Sequence, residues 1–470
     1  MEFFLRKSSG VLVTLFLAWF IAPEDFGLVA MITIFITVST VFINGGFVAA
    51  LIRQKEVTEL QLNSVFFIII ALALFIYALL FFLAPVIASF YQQPRLVEIL
   101  RVASLSFVFL SLSIVHSTVM QRKLLFKLQF KTSLPSAILS GVIAVALAYL
   151  GFGVWAIIAQ MVVFSALNTL LLWNLKIWHP QFQFSLNAIK PIFRFGVIIF
   201  VEAVIKEIFL KMNLAVIGKF YALDLVGLFF FAGKVADLIV QQAISSVQRV
   251  TFPVLSQLQD DPVRLKEGYR KVIQLTVFLI YPIFIITAAL SEPIFDLILP
   301  DKWSDAVSYL QLMLLISVIV PVNMLTKNII MVRGKAKLLL VLTLIENSML
   351  MIMLYFTISI GIHEILVGAG VILSLFLFIR AYFIKQLISY SYIEQFTDLV
   401  SVLVISLFSG TAVLYLVETT NWSSLIQLPL FFVIGLSLYL SMAYFFNLAG
   451  LTLFRGIVVD KFKNRQLTKP

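Results

Sequence analysis

The chain has no cysteine, only three histidines and little charge: Asp, Glu, Lys and Arg make up 12% of its 470 residues. Without thiols there can be no disulfide framework, thiolate nucleophile or thiolate metal site. A soluble domain is usually about 25% charged, so a soluble enzyme or a disordered chain is excluded as well. Phosphate-binding loops are missing: Gly218-Lys219, Gly233-Lys234 and Gly334-Lys335 lack the earlier glycine and the following Ser/Thr of a nucleotide cradle. There is no HExxH or other metal-ligand cluster, no G-x-S-x-G, and no apparent pairing of a nucleophile with a base. No polar segment is long enough for a soluble catalytic domain. The expectation is a carrier, not an enzyme, with neither metal nor cofactor.

What is present is apolar. Hydrophobic residues make up 62% of the chain, including 46 phenylalanines. At about 20 apolar residues per membrane helix, the length admits roughly 13–16 helices. Fourteen runs stand out, near 8–22, 28–52, 64–90, 102–120, 134–151, 154–174, 195–217, 222–247, 268–290, 306–332, 337–360, 364–388, 398–417 and 425–446. The fold class is therefore all-α and polytopic. The first run is short, so either Arg6 and Lys7 snorkel or the chain starts late.

The net charge of +11 has a distribution. With the N-terminus in the cytoplasm, most Lys and Arg fall in cytoplasmic connections and the tail, and only Arg95, Arg101, Lys219 and Lys302 lie on the other side. This is the positive-inside bias, and it places both termini in the cytoplasm. It also explains the basicity without nucleic acid as a partner.

Landmarks recur along the chain. Gly27-Leu28 and Gly227-Leu228 each follow an odd-numbered span, Pro85 and Pro293 each end a similar apolar run, and basic turns at Arg122 and Arg333 follow spans 4 and 10. Their order implies two six-helix bundles related by a pseudo-two-fold along the membrane normal, plus two helices. The expected domains are 1–175, a cytoplasmic linker 176–191, a second bundle 192–389, and helices 13 and 14 with a basic tail over 390–470.

Two spans carry charge at depth. Span 7 has Glu202, Lys206, Glu207 and Lys211; span 8 has Lys234 and Asp237. Each charge at a helix centre costs about 2.5–3.5 kcal/mol on insertion scales, so most should meet water or one another. Glu202, Lys206 and Asn213 fall within about 40° on a helix, while Glu207 and Lys211 form a second stripe. These Glu→Lys pairs at i,i+4 could instead neutralise each other. Lys234, Asp237, Gln241 and Ser245 form a polar stripe, continued by Arg249, that reads as a cavity wall. Lys327 and Glu346 either pair or line an inner vestibule. The first bundle offers Asn44, His116, Gln160 and Asn168, and His116 reads as a packed residue. Basic groups in a low-dielectric wall suit an anionic substrate such as a phosphate or diphosphate. Pro282 and Pro321 are candidate hinges.

Several stretches resemble a known family. They are Pro23-Glu24-Asp25-Phe26-Gly27-Leu28-Val29-Ala30-Met31, Ala49-Ala50-Leu51-Ile52-Arg53, Gly151 to Gln160, Arg249 to Ser256, Leu258 to Pro262, and Lys302-Trp303 after Glu292-Pro293. They are similar to the polysaccharide transporter family, the Wzx-type oligosaccharide-lipid flippases of the superfamily that also holds multidrug exporters. The resemblance implies two six-helix bundles around a central cavity. It also implies flipping of undecaprenyl-diphosphate-linked repeat units across the bacterial inner membrane for exopolysaccharide, capsule or O-antigen. It puts Lys234 where relatives carry Arg or Lys, but Asn213 and Asn44 where an acid would be expected.

The expected substrate site comprises Lys206, Lys211, Lys234, Asn213, Gln241, Gln160 and Asn44, with Glu202, Glu207, Asp237, Lys327 and Glu346 as charge partners. The expected partners are the lipid-linked oligosaccharide, membrane lipids, and glycosyltransferases and a polymerase of the same pathway. Two other readings stay open: a small-molecule or multidrug exporter with the same body, and a membrane-embedded polysaccharide polymerase.

Overall fold

The computed structural model describes residues 13–456, with the side chains of Pro191, Phe195, Ile198, Ser246, Arg249 and Val250 left aside. Arg6, Lys7, the Arg249 side chain and the tail beyond residue 456 lie outside the described residues. The described backbone is a succession of helices. Contacts group it into two compact units, Met1–Phe231 and Ala232–Pro470.

The first unit holds α1 (13–20), α2 (Pro23–Asn44), α3 (Phe47–Arg53), α4 (Glu59–Tyr91), α5 (Leu96–Arg122), α6 (Phe126–Tyr149), α7 (Val154–Asn174), α8 (Leu186–Phe220) and the start of α9 (Leu223–Gln257). The second unit holds the rest of α9, then α10 (Pro262–Ala289), α11 (Ser291–Ile298), α12 (Ala306–Ser317), α13 (Ile319–Val332), α14 (Ala336–Thr357), α15 (Ile362–Ile388), α16 (Tyr392–Thr419) and α17 (Ser424–Phe445). Eleven helical segments of the described chain are long and apolar enough to cross a membrane, so this is a multi-pass membrane protein. The two 35-residue helices α8 and α9 are also long enough, but carry the charges noted above.

Local chemistry sets the helix ends. Thr58 and Gln61 form a capping box at the start of α4, and Ser391 and Glu394 form one at α16. Asp261 Oδ1 accepts from the amides of Val263 (3.0 Å) and Arg264 (3.1 Å), ahead of Pro262 in the first turn of α10. Asp25 caps at a distance: its Oδ2 accepts from Val154 N at the start of α7 (3.0 Å), and its Oδ1 pairs with Arg95 (2.9 Å). The acid of the Pro23–Met31 stretch thus joins three helices.

Three boundaries differ from the sequence expectation. The run 28–52 breaks into α2 and α3, because Gly45 and Gly46 take left-handed φ values of 52° and 70°. The run 306–332 breaks at Val318, one residue after the carbonyl that Pro321 cannot bond. α8 starts at Leu186, inside the stretch expected as a linker, because Ser185 caps it there. The remaining connection is tied to the start of α4: Trp178 Nε1 donates to Glu59 (2.8 Å), Gln181 N to Asn63 (2.9 Å) and Ser185 N to Ser64 (2.9 Å).

The repeat has a physical basis. A Cβ on Gly27 would overlap the Leu223 carbonyl, and a Cβ on Gly227 would overlap the Pro23 carbonyl. The same pair of positions meets twice with the roles exchanged, which is the reciprocity of a two-fold contact. The basic turns also match. Arg122 donates to the Leu51, Gln54 (2.7 Å) and Lys55 (3.2 Å) carbonyls after α3, and Arg333 donates to the Gln259 carbonyl after α9 (3.1 Å). The paired prolines do differ: Pro85 lies within α4, while Pro293 lies in the first turn of the separate helix α11.

Gly227 faces a backbone carbonyl that cannot rotate away. Gly227→Ala is expected to cost at least about 1–3 kcal/mol, the usual overpacking range. Thermal unfolding of purified protein in detergent should show a clear loss relative to Gly233→Ala, where the nearest atoms lie 3.9 Å away on the flexible Met313 side chain.

Candidate functional site

The charges of α8 do not pair along the helix. Glu202 and Lys206 are exposed, and Glu207, Lys211 and Asn213 are half-buried. Among the described residues no ion pair joins Glu202 to Lys206 or Glu207 to Lys211, so the i,i+4 pairing is not made. On α9, Lys234, Asp237 and Gln241 are exposed and Ser245 is half-buried, while Ala236, Val240 and Ile244 are buried on an adjoining stripe. The polar stripe read from the sequence is therefore one accessible face of a long helix.

The neutral candidates sit differently. Asn44 is half-buried, and its Nδ2 donates to Thr40 O (2.9 Å), holding the end of α2 beside the Gly45–Gly46 break. Gln160 is half-buried on α7. Asn213 Oδ1 is buried with no hydrogen-bond partner. His116 is packed against the rings of Phe66, Trp173 (5.0 Å between centroids) and Trp178 (5.1 Å), the setting of a structural residue.

Lys327 and Glu346 belong to a cluster that the sequence reading left incomplete. Lys327 Nζ lies 4.0 Å from Glu346 Oε2, but the main partner of that carboxylate is Arg380, which is fully buried on α15 and also donates to Asn323 Oδ1 (2.9 Å). Arg380 could have been singled out, since an ionisable residue inside an apolar span is a signal by itself. A second polar hub ties α10 to α16. Asp398 accepts from Arg270 (Nε 2.6 Å, Nη2 3.0 Å), Gln274 (2.8 Å) and the Tyr390 hydroxyl (2.5 Å). Nearby, Lys266 pairs with Glu394 (3.0 Å).

Two surface grooves are apolar. One of about 640 Å³ lies between α1 and α6, lined by Phe16, Phe20, Ile138 and Tyr149, among others. The other, about 550 Å³, is lined by α5, α6 and α7 and the turn before α7. Neither contains a predicted site residue, and their linings match lipid rather than a polar cargo. Among the acids at 291–305, Asp296 has its pKa raised, first by burial and then by Asp301. Among the described residues no group of three His, Cys, Asp or Glu could hold a metal.

Fold and charge placement define a polytopic helical membrane protein with ionised faces inside two of its long helices. Residues 16–308 match the polysaccharide biosynthesis protein family, and the chain belongs to that family. Among curated relatives it is 25% identical over 296 residues to the teichuronic acid biosynthesis protein TuaB of Bacillus subtilis (strain 168), covering 62% of this chain and 61% of that one. It is 28% identical to the succinoglycan biosynthesis transport protein ExoT of Rhizobium meliloti (strain 1021), over 62% and 59%. It is 23% identical to the lipopolysaccharide biosynthesis protein WzxC of Escherichia coli (strain K12), over 66% and 63%. The matches thus span about three fifths of these relatives' lengths. In fold it is similar to the lipid II flippase MurJ in an inward closed conformation, with a TM-score of 0.75, 16% identity and coverage of 95% and 98%. It is also similar to an inward-facing multidrug resistance transporter of the MATE family, with a TM-score of 0.63, 14% identity and coverage of 83% and 95%.

Arg380 tests the energetic reading of the buried cluster. Arg380→Gln leaves Glu346 with the longer Lys327 contact in place of its buried guanidinium and should cost about 3–5 kcal/mol, whereas the apolar double replacement Arg380→Met/Glu346→Leu should cost much less. Melting temperatures of the single and double variants in detergent decide it; a double variant as unstable as the single removes the ion pair from the explanation.

Proposed function

We propose that the chain is a flippase for undecaprenyl-diphosphate-linked oligosaccharide repeat units, acting at the bacterial inner membrane in exopolysaccharide, capsule or O-antigen synthesis. One observation carries the reading: Lys206 and Lys234 stand exposed on helices long enough to span the bilayer, and the glutamates of α8 leave their lysines unpaired. Left against lipid, such groups would be costly, about 2.5–3.5 kcal/mol each. Next to a wet cavity they would attract an anion.

In this mechanism two six-helix bundles, the first over 1–175 and the second over 192–389, rock to expose the cavity to each side in turn. Lys206, Lys211 and Lys234 offset the diphosphate charge. Gln241, Asn213 and Gln160 hydrogen-bond sugar hydroxyls, and the unpartnered Asn213 Oδ1 suits an acceptor awaiting a hydroxyl. Asn44 contributes less, because its amide already holds Thr40 O. The prenyl tail stays in the bilayer. The relatives' names, which run from teichuronic acid and succinoglycan to lipopolysaccharide biosynthesis, support a sugar-polymer pathway with glycosyltransferases and a polymerase as neighbours. The cationic groups argue against an exporter of cationic drugs.

Lys234→Ala should lower polymer export at least tenfold at unchanged protein abundance and trap lipid-linked units inside, while Lys234→Arg keeps most of the activity. Wild-type export by Lys234→Ala would remove this residue as the diphosphate contact. Unpolymerised units accumulating outside on deletion of the chain would favour the polymerase reading.

A further inference from the structure

Pro282 lies inside α10 and has no amide hydrogen to give to the carbonyl four residues earlier, that of Phe278. In the apolar interior a carbonyl without a donor is a liability. Here the Tyr439 hydroxyl of α17 donates to Phe278 O at 2.9 Å, and the two rings pack with centroids 5.5 Å apart. The donor comes from 161 positions away and serves the carbonyl that the proline releases.

The same two helices hold α10 on both sides of this point. Before Pro282, Arg270 and Gln274 bond Asp398 of α16. After it, Ile285 and Ile286 pack into the space left by Gly410 of α16 and Gly435 of α17. Both arms of α10 about Pro282 are therefore attached to one brace, and the carbonyl that the proline releases is latched by the Tyr439 hydroxyl. A parallel latch exists in the first unit, where Arg101 Nε donates to Phe81 O (3.2 Å), the carbonyl released by Pro85, and the guanidinium lies 4.2 Å from the Phe81 ring.

We propose that α16 and α17 set the bend of α10 at Pro282, with the Tyr439 hydroxyl as the positioning group that holds it during the conformational cycle. That role in a cycle rests on the transport reading above; the latch itself does not. The experiment exploits the absence of cysteine, which allows spin labels at Lys271→Cys and Glu292→Cys without background. These exposed positions flank Pro282, Lys271 on α10 before it and Glu292 in the first turn of α11 just past the end of α10.

In reconstituted full-length protein, Tyr439→Phe should broaden or shift the pulsed-EPR distance distribution of this pair while leaving ring packing and abundance intact. It should also change the export rate at least threefold. In a Pro282→Ala background the helix regains its own bond to Phe278 O, so adding Tyr439→Phe should leave the distribution unchanged. An unaltered distribution in Tyr439→Phe overturns the proposal. So does an equal effect with and without Pro282, since the hydroxyl would then not be serving the released carbonyl. A shifted distribution in a chain whose deletion leaves polymer export intact upholds the latch and defeats the transport reading instead.

Discussion

Hydrocarbon offers no hydrogen bonds, so every polar group that enters it must bring a partner or reach water. This constraint governs the structure from the backbone outward. Where proline takes a donor away, Arg101 and Tyr439 replace it at Phe81 and Phe278. Outside the hydrocarbon, just past the ends of α3 and α9, Arg122 and Arg333 take up loose carbonyls. Where α7 begins, Asp25 supplies an acceptor to Val154 N. A guanidinium is well suited to such work, because its forked donors can serve several carbonyls at once and stay charged.

The same constraint separates the charges into two kinds. Arg380 and Glu346 are buried and directly bonded, with Asn323 as a third member. Such a group fixes three helices to one another, although desolvation offsets much of its Coulomb energy. The charges of α8 and α9 are of the other kind: accessible, and in α8 not paired with their i,i+4 neighbours. A helix with such a face is stable in a membrane protein only if that face borders water or polar cargo.

Much of this was legible in the sequence because hydrophobic runs and end signals are local. The Asp261-Pro262 start, the Thr58 capping box and the depth of Lys206 and Lys234 can be read within one helix. The Gly27 and Gly227 match was visible only as a coincidence of spacing; its meaning is a reciprocal carbonyl contact that spacing alone cannot show. The breaks at Gly45 and Val318 were missed because the flanking residues remain apolar throughout, and hydropathy does not register a change of direction. Arg380 was passed over although its depth in an apolar run was plain. Its partners, 34 and 57 positions away, could not have been named without the fold.

The last two membrane helices fit the same logic. Here α16 and α17 are not loosely appended, since Asp398, Gly410, Gly435 and Tyr439 engage α10 on either side of its proline. A proline in a long helix admits several bend angles, and packed neighbours choose among them. Adding a brace narrows that choice at one helix, and the residues that make it lie on α10, α16 and α17, not on the charged faces of α8 and α9.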